Sequence, residues 1–256
     1  MKAVILAAGR ATRMRPLSDD LPKCLLPVGG KPILQRVIEN VVAAGIYQIG
    51  LVIGYKAAAI RSFVKERFPF HRIRFIVNPK YESTNNAFSL LMAHEFVLNK
   101  ANSAAVPQDL LLLDADILFS PDLLPFLLHQ QSSNKIGVRV EGTHDEEEVR
   151  VKANHGGNIL SIGKKVPLDE TLGESIGIEV FSSSTARRLF EILEQRVRTG
   201  VGRTEFYEAS FQALIDEGIE LNAVDVSRFP SIEVDTPEDL RVAEAIVSRS
   251  EFTTAP

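Results

Sequence analysis

The chain opens on Lys2-Ala3-Val4-Ile5-Leu6 and passes directly into Ala7-Ala8-Gly9-Arg10-Ala11-Thr12-Arg13. A short apolar run rich in β-formers reads as a buried strand of a parallel sheet. Such a strand needs cover on both faces, as the helices of an α/β sheet provide. The loop that follows mixes small side chains with Arg10, Arg13, Arg15 and Lys23. Small residues let a backbone approach a ligand closely, and its N–H groups then cradle phosphate oxygens. Guanidinium and ammonium groups supply the charge that a triphosphate requires. A basic loop alone would be a solvated surface. Small residues, four cations and three prolines in this fixed order read as a phosphate site.

The rest of the chain repeats the alternation. Helices are expected over 32–44, 57–68 and 85–97, after Pro121, over 183–198 and 204–217, and from Thr236 onward. Strands are expected over 46–53, 73–77, 110–113 and 219–226. Residues 136–181 differ in texture: short strands alternate with polar, glycine-containing turns, as in a mixed or antiparallel section. One domain is expected over 1–256, with a nucleotide half at about 1–120, an acceptor half at about 121–235 and a C-terminal helix at about 237–249.

Composition removes several function classes. With 256 residues and 45% hydrophobic content, the chain can bury one large core or two small ones. A net charge of −4 argues against a general nucleic-acid binder, so the cations of the first loop form a local patch suited to a small anion. No membrane span or signal peptide is expected, and a single cysteine, Cys24, suits a cytoplasmic setting. With no histidine nearby in sequence, Cys24 reads as a packed thiol. His71, His94, His129, His144 and His155 show no paired spacing and read as structural or surface residues. The acidic run 145–148 reads as a solvated turn, and the tail 248–256 as frayed.

Two carboxylate motifs complete the pattern. Leu111-Leu112-Leu113-Asp114-Ala115-Asp116 ends an apolar strand on acids at i and i+2, on one face at its carboxyl end. Ligands of open α/β sheets bind outside those ends, and hard oxygen donors there suit Mg²⁺. Asp114 either holds the turn or joins the nucleotide pocket. Ile232-Glu233-Val234-Asp235-Thr236-Pro237-Glu238-Asp239 carries a helix start, with Thr236 as cap and Pro237 as first helical residue. Capping does not explain Asp235.

The pattern Leu-Ala-Ala-Gly-x-x-Thr-Arg-Met-x-Pro, followed by Pro-Lys-x-Leu-x-Pro-Val-x-Gly-x-Pro, resembles the signature of nucleotidyltransferases that activate sugar 1-phosphates and phosphocholine. The resemblance implies a single Rossmann-like, glycosyltransferase-A-type α/β domain with a mainly parallel sheet flanked by helices. It places Leu6, Ala7, Ala8, Gly9, Arg10, Ala11 and Thr12 around the nucleotide, with Arg13 and Lys23 on the triphosphate. The commoner form has Gly where this chain has Ala11, and Ala tolerates a positive φ less well. Asp116 matches the position that takes Mg²⁺, and Asp235 falls opposite it on the same ion.

The acceptor segments resemble the phosphocholine cytidylyltransferase branch. Within Asn78–Leu90, Asn86 and Ser89 read as polar contacts in the site, whereas Asn85 serves equally well as a helix cap. The Glu-Lys-Pro motif of the sugar branch is missing around Ile162–Val166, where Gly163-Lys164-Lys165 stands instead. Lys164 is either an acceptor-phosphate ligand or a surface lysine. Glu174, Tyr207, Glu208 and Glu233 are assigned by the resemblance to the acceptor, the last three as the wall of a cationic pocket. The absence of tryptophan weakens recognition of a quaternary ammonium and keeps an aminoethyl or polyol phosphate in play. The expected function is transfer of CMP from CTP, with Mg²⁺, to a small phosphate- or phosphonate-bearing alcohol. Alternatives are a sugar-1-phosphate enzyme using UTP, GTP or dTTP, and a non-catalytic regulatory subunit of the same fold. The expected state is a monomer or homodimer that engages neither nucleic acid nor membrane.

Overall fold

The computed structural model describes residues 1–98, 106–142 and 148–249. Strand β1 (Lys2–Ala7) leads into the first loop, which carries the one-turn helix α1 (Leu17–Asp20). A hairpin of β2 (Pro27–Val28) and β3 (Lys31–Pro32) precedes α2 (Ile33–Ala43). Then come β4 (Ile49–Ile53), α3 (Ala57–Arg67), β5 (Ile73–Val77), α4 (Asn86–Met92) and α5 (His94–Leu98). Strands β6 (Leu110–Asp114) and β7 (Ile117–Phe119) are followed by α6 (Leu123–His129) and β8 (Lys135–Arg139). The antiparallel section adds β9 (Arg150–Ala153), β10 (Ile159–Gly163) and β11 (Gly173–Phe181). Last are α7 (Ser183–Thr199), α8 (Glu208–Asp216), β12 (Asn222–Asp225), β13 (Ser231–Glu233) and α9 (Pro237–Ser248).

The main sheet runs β10-β9-β11-β6-β1-β4-β5, with β8 pairing both β11 and β12. Strands β6, β1, β4 and β5 are parallel, and β11 joins β6 antiparallel. From residue 136 to Phe181, where the texture changes, β8 to β11 pair antiparallel, and β12 then returns to a parallel pairing with β8. Alternation along β1 divides the core: Ala3, Ile5 and Ala7 pack on one face with α2 and α3, and Val4, Leu6 and Ala8 on the other.

Several helix limits differ from expectation. The helix expected over 85–97 breaks at Ala93 into α4 and α5, and Asn85 caps it by accepting the Asn86 N–H at 2.8 Å. The helix expected from Thr204 starts only at Glu208, because residues 204–207 are held as a turn against α4: the Tyr207 N–H donates to Asn86 Oδ1 at 2.9 Å. At α9 Thr236 and Asp239 form a capping box, with Pro237 first in the helix. Most of the acidic run 145–148, His144 and the tail beyond 249 lie outside the described residues.

Ala11 sits at φ 50°, ψ 51°, the left-handed region. Ala11→Gly should relieve that conformation and raise stability by about 0.5–1 kcal/mol, read as a higher midpoint in urea unfolding. An unchanged or lower midpoint would show that the Ala11 methyl packs well enough to offset its strain.

Candidate active site

Three adjoining cavities open at the carboxyl ends of β1 and β6. The first, about 240 Å³, is lined by Leu6, Ala7, Gly9, Ala11, Thr12, Arg13, Lys23, Asp116 and Asp235, among others. A second, about 230 Å³, adds Ala8, Asn86, Ser89, Asp114 and Glu233. A third, about 430 Å³, brings in Lys164, Glu174, Tyr207 and Glu208. Of the residues singled out from sequence for the site, Arg10 and Arg15 line none of the three: Arg10 is exposed, and Arg15 pairs with Asp19 at 3.1 Å.

Residues far apart in sequence converge through a small ladder. Strands β7 and β13 pair antiparallel with Ile117 opposite Glu233, and the Val234 N–H donates to Asp116 O at 3.0 Å. This register sets Asp116 beside Asp235. The capping box fixes the second residue, because Asp239 Oδ2 accepts the N–H groups of Asp235 and Thr236 at 3.0 and 2.7 Å. Strand β6 stops at Asp114, and the turn at Ala115–Asp116 carries Asp116 onward, so the two acids meet different partners.

Lys23 Nζ lies 2.5 Å from Asp116 Oδ2 and 2.5 Å from Asp235 Oδ1. Arg13 donates to the other oxygen of Asp235. Burial alone would lower the Lys23 pKa, but the two carboxylates outweigh it and raise the ammonium above its ordinary value. Among the described residues, Asp116, Glu233 and Asp235 can each direct a carboxylate oxygen to within 4.8 Å of the others. Asp116 Oδ1 is buried without a hydrogen-bond partner. Such a donor set, all oxygen, with one atom unsatisfied, fits a hard divalent cation. Cys24 is buried, and burial first and Asp116 second push its thiol up to about 12, so it is a packed and unreactive group.

The third cavity has an acidic floor. Tyr207 is fully buried, its ring 5.1 Å from that of Phe211, and its hydroxyl donates to Asp114 Oδ2 at 2.8 Å. Asp114 thus holds a tyrosine from α8's entry rather than capping its own turn, and Tyr207 presents no ring face to a ligand. The half-exposed aromatic of the cavity is its neighbour Phe206, with Lys164 Nζ 5.3 Å from the ring centroid. Gly177, at φ +69°, lets β11 pass under Asp114, since a Cβ there would lie 2.9 Å from Asp114 Oδ2. Glu174 pairs with Arg139, a residue that sequence patterning did not single out. Ser89 Oγ accepts from Asn78 Nδ2 at 3.0 Å, which makes it a support of the wall as well as part of it.

Burial pushes Glu208 up to about 7, opposed by its own backbone N–H and by the Lys164 charge. Glu233 rises to about 8, from burial first and then repulsion by Asp116 and Asp235. Glu179, fully buried in β11 behind this cavity, is raised well above the ordinary carboxyl range by burial and by the charges of Asp114 and Glu208. A lone acid in the run Ile176–Phe181 was the signal in the sequence that could have found it.

A folded-state pKa above the unfolded one means that the native protein holds the proton longer. Its stabilising contribution is complete below about 4.5, the ordinary glutamate value, and is lost as pH rises toward the raised value. Glu179→Gln should therefore flatten the fall in stability as pH rises above about 4.5 and leave the variant the more stable of the two at pH 8. Denaturant titrations at several pH values measure both, and parallel slopes for the two proteins would refute the assignment.

No helix among the described residues is long and apolar enough to cross a membrane. The family model described as nucleotidyl transferase matches residues 2–223. The chain is 30% identical over 258 residues to a CTP:phosphoglutamine cytidylyltransferase of Campylobacter jejuni, covering 94% of this chain and 98% of the relative. It is 26% identical to a choline-phosphate cytidylyltransferase of Streptococcus pneumoniae, covering 96% of this chain and 98% of that one. Its fold matches the inositol-1-phosphate CTP transferase of T. maritima with a TM-score of 0.77 over 99% of this chain and 98% of the other, at 20% identity. That last likeness concerns the fold. With a family match across most of its length and a site at the carboxyl ends of its parallel strands, the protein belongs to the nucleotidyl transferase family.

Proposed function

We propose that the protein transfers CMP from CTP to a small phosphate- or phosphonate-bearing alcohol and releases pyrophosphate. The observation that carries the reading is the junction of Arg13, Lys23, Asp116 and Asp235, set between the first-loop cavity and the acidic one. The relatives that cover nearly the whole chain and carry CTP in their names favour cytidine as the base. Mg²⁺, held by Asp116 and Asp235 with Glu233 beside them, would supply charge neutralisation at the phosphate oxygens.

The chain's own residues account for the rest. An ionised oxygen of the acceptor attacks the α-phosphorus; that P–O bond forms as the bond to the β-phosphate bridging oxygen breaks, and pyrophosphate leaves with the electron pair. An acceptor phosphate is already ionised near neutral pH, so no general base is required. Lys23 and Arg13 stabilise charge on the phosphates and align donor and acceptor. Glu174, Glu208 and Glu233 with the Phe206 face suit an amine, and Arg13, which borders both the first-loop cavity and the acidic one, suits the acceptor's phosphorus group. A polyol phosphate is the second reading, favoured by the lack of an exposed ring face on Tyr207.

Pyrophosphate release should be measured for CTP, UTP, GTP and dTTP against phosphocholine, aminoethylphosphonate, inositol 1-phosphate and glucose 1-phosphate. Turnover is expected with CTP and an amine-bearing acceptor. Turnover of glucose 1-phosphate with UTP or dTTP, and none with CTP, would overturn the reading.

A further inference from the structure

Beside the acidic cavity lies a larger one, of about 840 Å³, between strands β9 and β10 and helix α8. The two share Val149, Lys164, Phe206 and Glu208, which form a neck between them. The floor of the larger cavity is apolar, with Ile162, Val166, Ala209 and Ala213 facing it. Four cations (Lys152, Lys164, Lys165 and Arg196) and four acids (Glu170, Glu205, Glu208 and Asp216) line it, and two pairs are joined, Lys152 lying 2.5 Å from Glu170 and Arg196 2.9 Å from Glu205. Gln212 is also committed. Its Oε1 accepts from the Ser161 hydroxyl and the Ile162 N–H at 3.1 and 3.0 Å, and its Nε2 donates to Asp216 at 2.8 Å. The larger cavity therefore offers apolar surface and no excess charge.

The neck is different. Glu208 is buried, borders both cavities, and its Oε2 has no hydrogen-bond partner. A buried acceptor atom left unmatched favours a ligand that brings a donor to it. A quaternary ammonium carries no N–H and would leave that oxygen unmatched. A primary amine would satisfy it and leave the larger cavity unused, although the cavity of about 430 Å³ already suffices for a compact head group. A substituted nitrogen answers both features at once.

We propose that the acceptor is an N-substituted aminoalkyl phosphate or phosphonate, with its N–H on Glu208 in the neck and its N-substituent in the larger cavity. This rests on the acceptor reading above and narrows it. The phosphorus group stays beside Arg13 and Asp235, the alkyl spacer crosses the acidic cavity, and the apolar substituent lies along Ala209 and Ala213 of α8.

The test compares 2-aminoethyl phosphate, phosphocholine and N-butyl-2-aminoethyl phosphate, with CTP, by kcat/KM and by calorimetric titration without nucleotide. The N-butyl compound should exceed 2-aminoethyl phosphate at least tenfold in both measurements, because its butyl carbons leave water for an apolar floor. Ala213→Phe fills that floor and should bring the N-butyl-to-aminoethyl ratio close to one; Ala209→Leu serves the same purpose if the first variant folds poorly. Turnover of 2-aminoethyl phosphate with no advantage for the N-butyl compound, or a ratio unchanged in both variants, overturns the inference alone. Turnover of glucose 1-phosphate together with equal calorimetric affinities for the two esters overturns the acceptor reading and the inference with it.

Discussion

Replacing Asp116 or Asp235 with Ala is expected to lower kcat by about 10²-fold or more while the fold survives. Both carboxylates line the first cavity and share the Lys23 ammonium, so removing either one takes away an oxygen donor from the proposed Mg²⁺ site, and with it the cation that would offset the phosphate charge. The fold should survive because each acid keeps about a quarter of its side-chain surface in water (22% and 24%) and neither belongs to the core. As a readout independent of turnover, added Mg²⁺ is expected to raise the Tm of the parent protein, and either substitution should abolish that rise. Near-normal turnover in Asp235→Ala would remove that residue from the metal site, and an intact Mg²⁺ effect on Tm in Asp116→Ala would do the same for Asp116.

Lys23→Ala should reduce kcat by a similar factor, with a smaller change in the KM for CTP. The reason is that charge builds on the leaving pyrophosphate as its bond breaks, so the ammonium interacts more strongly with the transition state than with bound CTP. The same substitution has a structural effect. It leaves Asp116, Glu233 and Asp235, whose oxygens can approach within 4.8 Å, without the cation that holds two of them. In EDTA the variant should be less stable by about 2–3 kcal/mol, and added Mg²⁺ should restore more Tm than in the parent protein. A variant that raises only the acceptor's KM would place Lys23 on the other substrate. Equal Tm in EDTA would show that the carboxylates relax away from one another.

The fold was legible in the chain because its parts obey local rules. Apolar runs such as Lys2–Leu6 and Leu110–Leu113 carry their strand identity in side-chain type. Gly45 after α2 and Thr236-Pro237 before α9 mark helix ends by backbone chemistry alone. Local rules failed where a distant contact intervened. Residues 204–207 carry a helical pattern, but the pull of Asn86 on the Tyr207 N–H and of Asp114 on its hydroxyl holds them as a turn. Spacing at i and i+2 paired Asp114 with Asp116, yet the strand ends between them.

By itself the sequence determined the α/β class and the packed, inert Cys24, which follow from residue type and spacing over a few positions, whereas Asp235 was reached only through the family resemblance of its segment. Only the tertiary structure decided what those residues meet. The register of β7 against β13 brings Asp116 to Asp235, the close pass of Gly177 makes room for Asp114, and the wall of the acidic cavity draws Arg139 from β8 and Phe206 from the segment before α8. Tyr207 shows the difference most clearly: the family resemblance assigned it to the wall of a cationic pocket, and the structure buries it against Phe211 as a hydroxyl donor to Asp114. Burial and ion pairing depend on atoms more than a hundred residues apart, and a local pattern carries no term for them.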